Sequence, residues 1–245
     1  MHLTSMYKKI TSLLFIFYFL IIGCDPIENN SRIVFNLKVT DEENQPLPDI
    51  DINASLRDTS IGVSFFIFPS FEGFEGVIGV GSTDTQGEIS LISLDPDLFQ
   101  NEIAVVINGD EQFGMSSVNQ EYGIVTYLLD SIANKATLLP DTVLKRSATL
   151  EIEIIDVLDM EGSLAYTITY SPRIQQFRFP SGEELTSDTV EGFGEPLSSE
   201  ELTFETLQNT IALFSYTITL DSGVVETNTI EIPINQDIVQ YAFEF

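Results

Sequence analysis

Cys24 is the residue of this 245-residue chain whose type and position most clearly indicate a chemistry. It is the only cysteine, so its thiol cannot form a disulfide within the chain. Lys8 and Lys9 precede an apolar run over residues 10–22, and Gly23 places a small residue directly before the sulfur. A positive start, a short apolar stretch and a small residue before the cut are the three parts of a secretory signal. The run covers 13 positions, against the ~20 that a membrane-spanning helix needs, so residues 1–23 are predicted to be a signal peptide.

The residues around this cysteine resemble the lipobox of bacterial lipoproteins. The resemblance rests on Ile21-Ile22-Gly23-Cys24, with Leu20 before it. It implies that the chain is cut before Cys24, that the thiol becomes a thioether to diacylglycerol and that the new amine is acylated, for example by palmitate. Several acyl chains give stable membrane anchoring. The predicted location is the Gram-negative cell envelope, at the outer membrane, and Asp25 directly after the cysteine leaves retention in the inner membrane open as an alternative. The side that the body faces stays open, and the alternative is an ordinary secretory signal with an incidental cysteine.

Composition limits what the exported chain can do. Loss of Lys8 and Lys9 with the signal changes the formal charge from −28 to −30, with 38 acidic side chains remaining. The chain after residue 23 has no histidine, no tryptophan and no free thiol once Cys24 is acylated. Histidine is the usual general base near neutral pH and the commonest transition-metal ligand, so no enzyme activity is expected. Nucleic-acid binding needs basic residues against phosphates, and we exclude it.

A Phe-rich insertion over residues 57–81 is the candidate partner-binding loop. Its five phenylalanines are Phe65, Phe66, Phe68, Phe71 and Phe74. Exposed together, they would form an apolar patch of the kind that marks interaction surfaces. A loop with phenylalanine alone suits protein or lipid contacts better than carbohydrate stacking. The other interpretation is a long hairpin that folds back and packs these rings on the body of the protein.

Three acidic motifs contain oxygen ligands of the kind that calcium binds. Asp49-x-Asp51-x-Asn53 begins like an EF-hand loop, but Ala54 and Ser60 stand where glycine and glutamate are needed. The alternation of apolar and polar residues predicts that Asp49, Asp51 and Asn53 lie on the solvent-exposed face of a strand. Acidic clusters over residues 95–97 and 108–111 are also common turn formers. No cofactor is therefore predicted, because no motif supports calcium and no residue set indicates a metal.

The elements that must position these residues are strands. Apolar and polar residues alternate with period two, and β-branched and aromatic residues are abundant, which is typical of half-buried strands. Residues 103–107 are apolar throughout, as in a strand buried on both faces. No long amphipathic helix is evident. We predict an all-β fold of two tandem antiparallel β-sandwich domains. The inward set of the first strand is Ile33, Phe35, Leu37 and Val39.

The first half resembles the carboxypeptidase regulatory-like, or transthyretin-like, β-sandwich. The resemblance rests on FNLKVTDEENQPLPDIDIN followed by STDTQGEISL, in which Gln45-Pro46-Leu47-Pro48 precedes a Thr-Asp-x-x-Gly turn over residues 83–87. It covers residues 32–146 and departs from the family pattern at the Phe-rich insertion. It implies a prealbumin-type sandwich with an accessory, non-catalytic role.

The second half, residues 147–245, is predicted to be another antiparallel sandwich. Its alternating segments are similar in outline to immunoglobulin-like or fibronectin type III domains. The Cys…Trp…Cys signature of true immunoglobulin domains is absent. Residues 180–201 carry seven acidic side chains and no lysine or arginine, and we interpret them as a solvated loop. The predicted organisation is thus a signal peptide (1–23), a lipidated tether (24–31), the first sandwich (32–146) and the second (147–245).

The function indicated by the sequence is a lipid-anchored cell-envelope protein that acts as a non-catalytic binding or structural module. Its expected partners are the membrane, through the lipid on Cys24, and another envelope protein or a glycan. The alternative is a surface-exposed lipoprotein that binds a glycan or another ligand.

Overall fold

The computed structural model describes residues 32–57, 74–94, 102–109, 119–129, 136–155, 162–186, 188–194, 200–220, 222–223 and 225–244. Every regular element in these ranges is a β-strand, which confirms the all-β prediction. No helix in the described part of the chain is long and apolar enough to cross a membrane.

The first half of the chain forms two sheets around one core. Its strands are β1 (Arg32–Thr40), β2 (Asp51–Arg57), β3 (Phe74–Ser82), β4 (Glu88–Leu94), β5 (Glu102–Ile107), β6 (Ile124–Leu129), β7 (Ala136–Leu138) and β8 (Thr142–Val143). The first sheet has the order β4-β1-β7, and β8 pairs with the far end of β1. Phe35 and Val39 on β1 are fully buried against residues of the opposite sheet such as Ile52 and Ile107. The predicted inward face of the first strand is confirmed.

The second half supplies β9 (Ser147–Ile155), β10 (Gly162–Tyr170), β11 (Ile174–Phe179), β12 (Glu183–Glu184), β13 (Asp188–Gly194), β14 (Glu200–Leu207), β15 (Thr210–Leu220), β16 (Val225–Ile234) and β17 (Ile238–Glu244). A four-stranded sheet, β13-β10-β15-β16, faces a three-stranded sheet, β14-β9-β17. Their shared core includes an aromatic cluster in which the ring of Phe243 lies 4.9 Å from Phe214 and 4.5 Å from Tyr216. Aromatic pairs at these distances stabilise a core beyond their buried area alone.

Two strands of the second half do not join its own sandwich. β11 pairs in parallel with β6, and β12 pairs with β11, so the sheet opposite β1 has six strands in the order β12-β11-β6-β5-β2-β3. Residues 180–201 are therefore not a loop: they include β12, β13 and the start of β14, while residues 187 and 195–199 lie outside the described ranges. Most pairings in the described part are antiparallel, and β1–β7, β1–β8, β6–β11 and β9–β17 are parallel.

The apolar core residues fall into separate groups that follow the two halves. One large cluster runs from Ile33 to Leu144 and the other from Ala148 to Phe243. A third cluster lies on the other face of the six-stranded sheet, where residues of β5 and β6 pack with Ile174 of β11. β5 and β6 are buried at every position, which accounts for the continuous apolar run over residues 103–107. The division at residue 147 stays a prediction, and β11 crosses it.

The turn before β4 brings together the two motifs of the first half. Thr83 Oγ1 accepts a hydrogen bond from the Ile50 backbone N–H (2.9 Å) and donates one to the Leu47 carbonyl (2.7 Å). Asp84 Oδ1 accepts from the backbone of residues 86 and 88, and these bonds lower the pKa of the Asp84 carboxyl. Gly87 has φ +71, and a Cβ there would lie 2.3 Å from the Val39 carbonyl oxygen, so only glycine fits. The segment around Leu47 and the Thr-Asp turn are thus contacting parts of one corner.

Candidate structural junction and binding surfaces

The residues predicted to bind lipid or a partner fall largely outside the described part of the chain. Cys24 lies there, as do Phe65, Phe66, Phe68 and Phe71. Phe74 is the first residue of β3 and pairs in register with Arg57 at the end of β2. β3 is the outermost strand of the six-stranded sheet and takes up the last part of the predicted insertion, so residues 58–73 join the two strands of a hairpin at the edge of that sheet.

Among the candidate calcium ligands that are described, Asn53 and Asn108 have structural roles. Asn53 is buried, which corrects the prediction that it faces solvent with Asp49 and Asp51, and its amide donates to the Gly109 carbonyl at 3.2 Å. Both faces of β2 are covered at this point, because successive residues from Ile52 to Leu56 are all buried. No group of three or more acidic, histidine or cysteine side chains suited to a metal occurs among the described residues.

Asn108 is the most heavily bonded side chain near these motifs. It is fully buried, and its amide donates to the carbonyls of Asn119 (2.8 Å), Tyr122 (3.1 Å) and Gly123 (3.0 Å). Its Oδ1 accepts from the Asn119 N–H at 2.8 Å. Its φ of 62° is in the left-handed region that asparagine tolerates better than most residues. Asn108 therefore holds the turn that leads into β6, where the two halves of the chain meet.

The junction between the halves is built from backbone hydrogen bonds. The Ile124 N–H donates to the Arg173 carbonyl (2.9 Å), which starts the β6–β11 pairing. The Gly123 N–H donates to the Lys145 carbonyl (3.0 Å), and the Ser147 N–H donates to the Glu121 carbonyl (2.8 Å). The connection from the first half to the second is thus hydrogen-bonded to the residues just before β6, and the first residue of β6 bonds to the residue just before β11.

Gly123 allows the closest approach at this junction. A Cβ on this residue would lie 2.6 Å from Leu207 Cδ2 and 2.8 Å from the Arg173 carbonyl oxygen. Leu207 is 1% exposed at the end of β14, in the second sandwich. Gly123 therefore lies where three parts of the chain meet: Leu207 at the end of β14, the backbone just before β11 and the start of β6.

Ion pairs and a shallow groove surround the junction on the solvent side. Arg146 contacts Glu121 at 3.2 Å, and Arg173 contacts Glu205 at 3.3 Å. The Asn209 amide donates to Glu42 at 2.8 Å, which links residues far apart in sequence. Such exposed pairs contribute little each, at ~0–1 kcal/mol. The groove between the halves, of about 300 Å³, is lined mainly by charged and polar residues including Asp41, Glu42, Glu43, Tyr122, Arg146 and Asn209, whereas sites for small ligands are mostly apolar.

Among the described residues, the groups with a perturbed pKa are shifted away from neutral pH. Burial, followed by the hydrogen bond to Glu200 at 2.9 Å, raises the pKa of Tyr166 to about 12. Burial and the nearby charge of Asp188 raise the pKa of Tyr170 to about 12 as well. A general acid or base works best with a pKa near the operating pH. These tyrosines are therefore structural groups that remain protonated at neutral pH.

The outer faces of the second sandwich differ in chemistry. On the four-stranded sheet, hydroxyl side chains of neighbouring strands bond across β15 and β16: Ser215 to Thr229 at 3.0 Å and Thr217 to Thr227 at 3.2 Å. On the three-stranded sheet, Glu153 stands directly opposite Glu201 in register. Like charges in this position are destabilising, and this face would repel other anionic surfaces.

Comparisons with known proteins give no family for this chain. No protein-family model matches it, and no curated protein matches its sequence significantly. Among solved structures, it is similar to the Bacillus anthracis TIE protein, with 14% identity, a TM-score of 0.30, and coverage of 87% of this chain and 34% of that one. It is similar to a streptococcal ancillary pilin (10% identity, TM-score 0.30, 87% and 63% covered) and to a tip fimbrial protein of Porphyromonas gingivalis (10%, TM-score 0.27, 81% and 81%). The chain spans about a third of the first of these proteins and less than two thirds of the second.

Proposed function

We propose that this protein is a lipid-anchored, non-catalytic structural module of the bacterial cell envelope, at the outer membrane, that holds a partner envelope protein at a fixed distance. The observation that carries the proposal is the parallel pairing of β6 with β11. Because of it the chain leaves the first sandwich, builds β9 and β10 of the second, returns to the six-stranded sheet of the first sandwich and leaves again.

A chain threaded in this way resists relative motion of its halves. Domains joined only by a linker move with respect to each other by default. Here the ladder from Ile174↔Ile124 to Phe179↔Leu129 fixes β11 to the first sandwich, so the chain passes between the sandwiches three times: from β8 to β9, from β10 to β11 and from β12 to β13. A hinge motion would have to bend all three connections at once. Rigid coupling suits a spacer or assembly role, in which force and position are transmitted from one end to the other.

The anchoring part of the proposal rests on the sequence before the first strand. Cys24 follows a signal-like segment and precedes Arg32, where β1 begins, by eight residues. Lipid attached there would hold the first sandwich near the membrane and place the second sandwich farther from the membrane than the first. Incorporation of labelled palmitate, with Cys24→Ala as the control, tests the anchor, and protease treatment of intact cells reports the side that the body faces. Absence of label in the wild type would overturn lipid anchoring.

The coupling part is tested by equilibrium unfolding in urea. Gln175 lies in β11, an internal strand, and pairs with Val125 of β6. Gln175→Pro therefore removes a hydrogen bond of this ladder and distorts the strand. We expect one cooperative transition for the wild type and for Gln175→Ala, and two separated transitions for Gln175→Pro. Two well-separated transitions in the wild type would show that the halves unfold independently and would refute rigid coupling.

A further inference from the structure

The outer face of the first sheet carries an exposed apolar area. Val34 of β1 lies in register between Ile92 of β4 and Ala136 of β7, and Leu138 lies beside Asn36 in the next row. Leu138 is 75% exposed and Ile92 57% exposed, the two highest values among the large apolar side chains described. We call these four residues, Val34, Ile92, Ala136 and Leu138, the tether-end patch.

The polarity of this face changes along β1. Its outward residues run from Arg32 through Val34 and Asn36 to Lys38. The apolar row formed around Val34 is followed by a row in which Ser90 Oγ donates to Asn36 Oδ1 at 2.7 Å. In the next row Lys38 forms an ion pair with Glu88 at 3.6 Å. The two most exposed apolar side chains thus lie at one end of the sheet face, with Arg32 beyond them. The other end carries the Lys38–Glu88 pair and one further exposed apolar side chain, Val143 of β8, which is 46% exposed beside Thr40.

The apolar end is the end from which the predicted tether departs. β1 begins at Arg32, and the side chain of Arg32 is exposed on the same face as that of Val34. Seven residues lie between Cys24 and Arg32, so the two residues are at most roughly 27 Å apart when this segment is fully extended. A lipid on Cys24 would therefore confine this end of the sheet to a thin layer at the bilayer surface, at high effective concentration.

We propose that the tether-end patch docks onto the lipid bilayer and orients the protein on it. The proposal rests on the lipid anchor of the proposed function. Ile92 and Leu138 would enter the interfacial layer, as apolar side chains of peripheral proteins do. The Arg32 guanidinium, one row closer to the tether, is placed to bond lipid phosphate groups.

The charge distribution favours a lipid surface as the occupant and sets the direction of docking. Residues 179–245 contain no lysine or arginine, so the second sandwich is repelled by anionic headgroups. On the first sheet, Glu88 lies at the end opposite the apolar patch. The tether end of the face is therefore the part that is attracted to a bilayer. Docking through this end would orient the two sandwiches so that they extend away from the membrane.

The absence of tryptophan from the chain makes the test direct. Ile92→Trp places a single reporter in the patch, and Ile211→Trp is the matched control, because Ile211 is 54% exposed on the outer face of the second sandwich. The lipidated mature protein is reconstituted in vesicles of phosphatidylethanolamine and phosphatidylcholine with brominated acyl chains. We expect several-fold stronger quenching of the tryptophan at position 92 than of that at 211. Leu138→Trp serves as a second reporter if Ile92→Trp does not fold.

A parallel arm separates docking from anchoring. The mature chain with Cys24→Ala and an N-terminal hexahistidine tag is held on nickel-chelating vesicles of the same lipids. Strong quenching at position 92 there supports docking even if palmitate labelling disproves the natural anchor. Equal or absent quenching at positions 92 and 211 in both arms overturns docking. A blue shift at position 92 that depends on protein concentration without vesicles assigns the patch to a second copy and also overturns it.

Discussion

Replacing Gly123 with alanine tests the junction that couples the two sandwiches. The new Cβ would lie 2.6 Å from Leu207 Cδ2 and 2.8 Å from the Arg173 carbonyl oxygen, whereas nonbonded carbon atoms prefer about 3.5–4.0 Å. The leucine methyl can move, but the carbonyl belongs to the backbone that accepts the Ile124 N–H at 2.9 Å. Relief of the clash therefore requires β11 to shift away from β6.

The expected cost combines two terms. Overpacking of a close-fitted site costs ~1–3 kcal/mol, and weakening of one backbone hydrogen bond adds ~0.5–1.5 kcal/mol. We expect Gly123→Ala to lower the free energy of unfolding by about 2–4 kcal/mol, measured from the urea midpoint at constant slope. Hydrogen exchange should rise in β6 and β11 and stay unchanged in β9 and β10, because the strain is local to the junction.

The matched control is Gly76→Ala. Gly76 lies in β3 with nothing within 4 Å of an added Cβ, so we expect a change within about 1 kcal/mol of zero, with stabilisation favoured by reduced freedom of the unfolded chain. Equal stability of Gly123→Ala and Gly76→Ala would refute the view that β6, β11 and β14 are held in close contact at this point.

Three further outcomes are expected. Asn108→Ala should destabilise the protein by about 3–5 kcal/mol, because it leaves the buried carbonyls of Tyr122 and Gly123 and the part-buried carbonyl and N–H of Asn119 without this partner. The pKa of Tyr166 is raised to about 12 from 10.0 in the unfolded chain. The protonated tyrosine therefore contributes fully to the free energy of unfolding below pH 10, and this contribution is lost as the pH rises to about 12. The fall of the urea midpoint between these pH values should be shallower in Tyr166→Phe. The pair Phe66→Asp and Phe71→Asp should leave the melting temperature nearly unchanged while weakening capture of a partner.

Each of these has its own control. Asn44→Ala shares the positive φ of Asn108, at 61° against 62°, but lies on the surface; it should cost only the backbone strain, about 1 kcal/mol. A similar loss for both asparagine variants would mean that the buried hydrogen bonds contribute nothing. An alkaline midpoint that falls equally in wild type and Tyr166→Phe would remove Tyr166 as the cause. A large drop in melting temperature for the phenylalanine pair would place those rings in the core.

Much of the local structure could be predicted because it depends on short-range periodicity. Alternation along β1 identified the buried face containing Phe35, and the Thr-Asp-x-x-Gly pattern identified the turn that ends at Gly87. The prediction that Asn53 faces solvent is wrong, because the alternation argument assumes a strand with one buried and one solvent-exposed face. β2 lies inside a sheet that is covered on both faces.

The junction could not be predicted in the same way. The residues 180–201 have acidic, loop-like composition, yet they contain strands. The signals for Asn108 and Gly123 were a turn-forming asparagine and an isolated glycine, both common in loops. Their roles depend on which distant residues come near, such as Leu207, and no local pattern reports that.

The sequence by itself determined the all-β class and the alternation that buries one face of each half-exposed strand, and it predicts a lipoprotein-like start that ends at Cys24. Only the tertiary structure decided that β11 leaves its own half to pair with β6, and that the exposed apolar residues of β1, β4 and β7 gather at the tether end. The physical reason is that side-chain alternation is set by the geometry of each strand alone. The choice of pairing partner depends on the free energy of the whole packed chain, in which the apolar faces of two sandwiches must be covered at once.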